Sequence, residues 1–241
     1  MPQNGSFLAF DTSTDVMSVA LTDGVRVWQH TGPGGAKAST TLIPEILALL
    51  AEAGLALGDL QAIAFGRGPG SFTGLRTACA VAQGLAFGAN GLTGGMGIPV
   101  LPVDTLMALA EEARLQKKSP HITALLDARM DEMYVQQYVY NQGILSPLGD
   151  CELIRPEDLA ADGETLYAGN VFEVYRGRLP AGLNSLTCLP TATAMLRLAP
   201  RLADSGQCVP AAQALPLYVR DKVALTTTER EQIKALKPQA A

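Results

Sequence analysis

The chain has 241 residues, 48% of them hydrophobic and 17% charged, with a formal net charge of -5. That is enough apolar material for one large or two smaller cores, at a charge density below the roughly 25% of typical domains. Its cations are scattered, with only Lys117-Lys118 and Arg176-Gly177-Arg178 grouped; phosphate-backbone binding needs clustered Lys and Arg, so strong nucleic-acid binding by this chain alone is not expected.

In chain order, Phe7 to Asp11 reads as a short apolar strand and Thr12-Ser13-Thr14-Asp15 as a turn. Val16 to Thr22 is a second strand, Asp23-Gly24 a hairpin signal, and Val25 to Gln29 an alternating third strand, so the opening is a β-meander. Thr31 to Ala36 reads as a glycine-rich loop. A helix follows from about Ser39, with Leu42, Ile46, Leu49 and Leu50 on one face and Gly54 at its C-terminus. Ala62 to Phe65 is an apolar strand that runs into Gly66-Arg67-Gly68-Pro69-Gly70-Ser71-Phe72-Thr73-Gly74-Leu75-Arg76. A helix begins there, near Ser71 or Thr73, and extends to about Gly88. Ile98 to Val103 is another strand, and Asp104 to Leu115 a helix with Asp104 as its N-cap. The second half carries strands near Ile122–Ala128, Met133–Tyr140 and Ile144–Leu153, a helix near Thr191–Ala203 and a closing segment Pro216–Arg220. From Lys222 onward no apolar face is visible, and a loosely attached tail is expected. Propensity by itself defines only a mixed α/β protein.

The glycine loop allows close backbone approach, and the helix after it offers unpaired N–H groups. Such a turn could hold a phosphate or seat a partner's backbone; no Lys-Ser or Lys-Thr closes it, so it is not a Walker A loop. Along the helix, Thr73, Thr77, Ala80 and Gly84 recur at i, i+3/i+4 spacing, with Val81 and Phe87 nearby. That small-residue stripe lets another helix approach, either from the same chain or from a partner. Ser71, Phe72 and Arg76 sit at the helix start, and Phe and Arg are residue types that anchor interfaces. Cys79, Cys151, Cys188 and Cys208 form no CxxC or metal-like pair, which reads as a reduced, cytosolic protein. His30 and His121 are not at helical i, i+4 spacing with another ligand, so no metal site is expected. The first residues lack a basic segment followed by an apolar run, so no secretory signal is expected, and no run of about 20 apolar residues spans a membrane.

The loop string Gly66 to Arg76 resembles the signature of the bacterial TsaB (YeaZ) family. Ala9-Phe10-Asp11-Thr12-Ser13-Thr14, Val103-Asp104-Thr105-Leu106, Asp127-Ala128-Arg129-Met130-Asp131-Glu132-Met133-Tyr134 and Pro216-Leu217-Tyr218-Val219-Arg220 match further pieces in the family's order. The resemblance covers residues 7 to 220. It implies an actin-like ATPase (ribonuclease H-like) fold in two lobes, 1–103 and a reduced 104–221, with a flexible tail at 222–241. It implies an accessory subunit without catalytic residues, which works with the transferase TsaD, together with TsaC and TsaE, to place a threonylcarbamoyl group on the adenosine beside the anticodon of tRNAs that read codons beginning with A. Contact with tRNA runs mainly through TsaD. The helix Ser71–Phe87 is the family's partner surface, for TsaD or for a second copy in a homodimer. The family resembles TsaD but here lacks its histidine pair, and Ala38 stands where some members keep a histidine. No intrinsic cofactor is implied, and ATP or ADP is admitted only at the interface with the partner.

Asp11 has two readings: metal–nucleotide binding through water, as in actin-like ATPases, or capping of its own turn. With Thr12, Gly68 and Gly70 it makes up the candidate nucleotide or phosphate contact. Asp127 and Arg129 read either as a buried ion pair holding the lobe interface or as a partner contact. The alternatives to the accessory role are an independent actin-like ATPase or peptidase-like enzyme, and a nucleotide-binding module.

Overall fold

The computed structural model describes residues 5–89 and 97–220, and the expected tail at 222–241 lies outside them. Strands β1 (Phe7–Asp11), β2 (Val16–Thr22) and β3 (Val27–Pro33) form an antiparallel meander. Helix α1 (Ala38–Ala53) leads to β4 (Ala62–Gly68), and α2 (Phe72–Gly88) leads toward β5 (Val100–Asp104). Both strands add in parallel beside β1, giving the order β3-β2-β1-β4-β5. Helix α3 (Thr105–Lys117) then carries the chain to a second sheet. There β6 (His121–Asp127), β7 (Met133–Asn141) and β8 (Ile144–Ile154) repeat the meander, and β9 (Leu166–Gly169) and β10 (Ser185–Thr187) repeat the two parallel additions, in the order β10-β9-β6-β7-β8.

The two sheets share one topology although their residues show no repeat. They differ in their crossovers. The first sheet has helices of 16 and 17 residues. The second has a 3-10 turn at Pro156–Asp158 and the four-residue helix α4 (Val171–Val174). The reduction expected in the second half therefore falls on its crossovers, and its strands are all kept. Helix α5 (Ala192–Asp204) follows and returns to the first sheet.

Strand alternation decides what each face of the first sheet packs against. Leu8, Phe10, Ile63 and Phe65 point to one face, under Leu42, Ile46 and Leu49 of α1 and Ala78, Ala82 and Ala86 of α2. Phe7, Ala9, Ala62 and Ala64 point to the other, under Met195, Ala199 and Leu202 of α5. Helix α3 lays Leu106, Leu109, Ala110 and Ala113 on the second sheet, while its Ala108 joins the core below α5. Glu111 of α3, 3% exposed, accepts a two-pronged hydrogen bond from Arg114 (2.7 and 2.8 Å) and another from Arg197 of α5 (3.1 Å), so the only buried glutamate among the described residues is fully paired.

Three readings of the sequence need correction. The third strand is not Val25 to Gln29 followed by a loop: its ladder with β2 runs on through Gly32 to Pro33. It is an edge strand, where glycine and a terminal proline cost the sheet little. Asp104 does stand at the N-cap position of α3, but its carboxylate pairs with Arg67 and makes no cap bond. Strands β9 and β10 went unrecognised because four and three residues are too few to show a period.

Candidate functional site

The signature loop sits where two parallel strands end side by side, β1 at Asp11 and β4 at Gly68. In open α/β sheets this is the place where ligands bind. Here the chain fills it with itself. Thr12 Oγ1 donates to the Gly74 carbonyl at 2.7 Å, and Ser71 N–H, at the N-cap of α2, donates to the Ser13 carbonyl at 2.7 Å. A Cβ on Gly66 would overlap the Asp11 carboxylate, one on Gly74 the Thr12 carbonyl, and one on Gly70 the Ser13 backbone. The glycines are spaced to let the β1 turn nest inside the loop.

Asp11 is wholly buried and serves that nest. Its Oδ1 accepts from Ser13 N–H (2.8 Å) and Ser13 Oγ–H (2.6 Å), and Oδ2 from Thr105 Oγ1 (3.3 Å). This is the turn-capping role. Of the four residues considered for phosphate contact, Asp11, Thr12 and Gly68 are buried against the chain's own backbone, and Gly70 alone borders open space. Burial pushes the Asp11 carboxyl above its usual 3.8, against the opposing pull of the Ser13 and Thr105 hydrogen bonds. A carboxyl raised on folding stabilises the fold fully below its unfolded value, and that contribution is lost as pH rises through the folded value. Asp11→Asn should therefore stay folded and remove this part of the pH dependence, a slope of up to about 1.4 kcal/mol per pH unit above pH ~4. Urea denaturation of both proteins across pH 4–8 checks it; parallel stability curves would refute the buried titration.

Beside the nest a cleft of about 340 Å³ opens between the two sheets, lined by Ser13, Thr14 and Phe72 on one side and Asp127, Met130 and Arg220 on the other. Its far wall is the β6–β7 connection, where Arg129, Met130 and Asp131 all have positive φ (61°, 55° and 62°). Left-handed backbone costs a non-glycine residue roughly 1–2 kcal/mol, so three in succession must be held by their surroundings. Ala128 N–H reaches Glu132 O (2.9 Å), and Tyr175 Oη–H donates to the Asp127 carboxylate (2.7 Å) and to Glu132 O (3.0 Å). Arg220 contributes most, donating to Ala128 O (3.1 Å), Arg129 O (3.2 Å) and the Glu132 carboxylate (2.7 Å). Arg129 itself is 72% exposed and lies between Asp127 (3.3 Å) and Asp15 of the β1–β2 turn (3.4 Å), so the pair bridges the halves but is not buried: Asp127 is covered while its cation faces outward.

On the outer side of α2 the small-residue stripe lies open. Ser71, Phe72, Thr73, Arg76, Ala80, Gly84 and Phe87 are exposed, and Thr77 and Val81 are half-buried. A Cβ on Gly84 would have nothing within 4 Å. Phe87 is 55% exposed, and Phe72, 39% exposed, packs on Tyr218 with ring centroids 5.3 Å apart. Arg76 stacks on the Phe72 ring at 3.9 Å and donates to the Tyr218 hydroxyl at 3.2 Å. The partner of the buried side of α2 is the first sheet; α1 flanks it and leaves the stripe uncovered.

Sequence reasoning missed Tyr218 and Asp15 as members of this region, and it gave Arg220 no role. The only signal for the first and last was their place in the Pro216–Arg220 motif, because the segment forms neither helix nor strand. The remaining candidates do not converge. His30 faces Glu45 at 3.3 Å on the first sheet's edge strand, while His121 is exposed at the start of β6. The thiols of Cys151 and Cys188 are pushed up to about 12 by burial, so neither offers a thiolate at neutral pH. Among the described residues no three of His, Cys, Asp and Glu are grouped as metal ligands, and no helix is long and apolar enough to cross a membrane.

Two sheets of one topology joined by α3, with the β1 turn nested in the loop after β4, define an actin-like fold. A sequence profile described as "TsaD: tRNA N6-adenosine threonylcarbamoyltransferase" matches residues 33–231. The tRNA threonylcarbamoyladenosine biosynthesis protein TsaB of Haemophilus influenzae is 34% identical, over 92% of this chain and 96% of its own length. That of Escherichia coli is 32% identical, over 90% and 95%. A solved structure of YeaZ from Pseudomonas aeruginosa superposes with a TM-score of 0.80 at 38% identity, over 89% of this chain and all of its own. The chain belongs to the TsaB family.

Proposed function

We propose that the chain is an accessory subunit in the formation of threonylcarbamoyl-adenosine on tRNA, acting by docking on TsaD through the open face of α2. The observation that carries this reading is that face itself: Thr73, Ala80 and Gly84 present an uncluttered path for a second helix, with the exposed Phe72 and Phe87 at its ends. Aromatic anchors at the margins of a small-residue path favour a close helix–helix contact. The same face serves a homodimer about a two-fold axis, so homodimer and TsaD heterodimer exclude each other. TsaE joins the assembly, and tRNA is held mainly by TsaD, in keeping with a net charge of -5 here. In this reading the chain performs no chemistry and holds no cofactor of its own. ATP or ADP belongs at the junction with TsaD, since the chain's own loop is closed by its own backbone. Residues 1–103 and 104–221 act as the two lobes, with α5 crossing back to brace the first.

The test is reconstitution with purified TsaC, TsaD, TsaE, unmodified tRNA, threonine, bicarbonate and ATP. Modified adenosine should form only when this chain is present. Equal product without it, given a matched and active TsaD, would overturn the accessory role.

A further inference from the structure

The segment Leu215–Arg220 has no regular secondary structure, yet it ties three parts of the molecule together. Leu217 N–H donates to the Arg67 carbonyl of the signature loop at 2.7 Å, and the Leu217 carbonyl lies over Gly68. One residue on, Tyr218 carries Phe72 and Arg76 from the start of α2. Two residues further, Arg220 holds the left-handed turn of the other half through the Ala128 and Arg129 carbonyls and the Glu132 carboxylate. The side chain of Arg220 is 11% exposed, whereas the other ions on that turn, Arg129 and Asp131, are 72% and 76% exposed and weakly paired. Arg220 is thus the most buried cation on a backbone that L residues do not adopt unaided. Among the described residues Arg220 Nε is buried with no hydrogen-bond partner, so the tie is not saturated there, which favours a clasp that can let go.

We infer that Leu215–Arg220 is a relay. A partner helix that engages Phe72 and Arg76 displaces Tyr218, and the displacement loosens Arg220 from the Arg129–Asp131 turn at the rim of the cleft. The inference rests on the α2 docking face proposed above, but the wiring is a property of the isolated chain. A relay needs an element with two arrangements that both sites bias; the strained turn is that element, and the strap joins it to α2 through buried contacts, beside the exposed Arg129–Asp15 pair.

Hydrogen–deuterium exchange on the full chain tests it. Arg220→Ala should speed exchange at the Ala128, Arg129 and Glu132 amides by at least about tenfold, as local opening replaces a held turn. Tyr218→Ala should speed the same amides several-fold, with Leu8 and Phe10 of β1 unchanged in both variants. Phe72→Ala, which removes an exposed ring, should move the turn in the same direction and serves if Tyr218→Ala does not fold. Wild-type exchange at the turn in both aromatic variants, or an equal rise at Leu8 and Phe10, would overturn the relay. Neither result bears on whether the chain stimulates modification in the reconstitution, so the two readings fail separately.

Discussion

Gly74→Ala is expected to lose at least about 3 kcal/mol of stability and to leave little folded protein at 37 °C. Gly74 is the third residue of α2, and its added Cβ would occupy the position of the Thr12 carbonyl. The obstruction is backbone against backbone, so no rotamer change relieves it. Overpacking of this kind costs about 1–3 kcal/mol even where side chains can shift. Moving α2 away would also break the buried bond from Thr12 Oγ1 to the Gly74 carbonyl, worth about 1 kcal/mol net and more if the groups stay buried unpaired. Against a total of roughly 5–15 kcal/mol, that is a large share. Urea and thermal denaturation measure it directly; a variant within about 0.5 kcal/mol of wild type would show that the nest does not hold the loop.

Ten residues along the same helix the expectation reverses. Gly84→Ala should be neutral or stabilising by up to about 1 kcal/mol, because alanine is the better helix former and nothing lies in its way. Gly84→Glu should fold equally well, yet it should abolish both self-association and binding to TsaD. It sets a long charged side chain in the middle of the path a partner helix needs, and burying that charge unpaired costs several kcal/mol. Sedimentation of the variant alone and mixed with TsaD reads the association, and the reconstitution reads its consequence. Unchanged association in a folded Gly84→Glu protein would remove the α2 face from the mechanism. The pair of alanine variants is the control: one helix, two glycines, opposite signs, set by whether a carbonyl or open space faces the missing Cβ.

The local chemistry of the chain was legible in its residues. Meander, helices α1, α2 and α5, and strands β6 to β8 follow from apolar periods and from punctuation such as Asp23-Gly24 and Gly54, because those elements satisfy their own backbone and show one face to a core. The stripe Thr73, Thr77, Ala80, Gly84 was legible as a helical surface for the same reason. Its orientation was not: the period states that one side is small, while the sheet decides which side is covered, and Leu75, Ala78, Ala82 and Ala86 won the burial.

What only the tertiary structure decided are the contacts between residues far apart in sequence. The role of Asp11 turned on Ser13 two positions away and Thr105 ninety-four positions away. The glycines of the loop suit an anion or a partner's backbone equally well, and the β1 turn of the same chain occupies the space. Asp104 left its helix for Arg67, and Arg220 reached back to Ala128 and Glu132. Periodicity and turn chemistry report what a segment can do with its own backbone; side-chain partners at long range depend on which surfaces the folded sheets bring within 3 Å. The sequence by itself determined most of the elements, the family motifs and the net negative charge of this protein. Its closed loop, its open helix face and its strapped, strained turn were decided by packing.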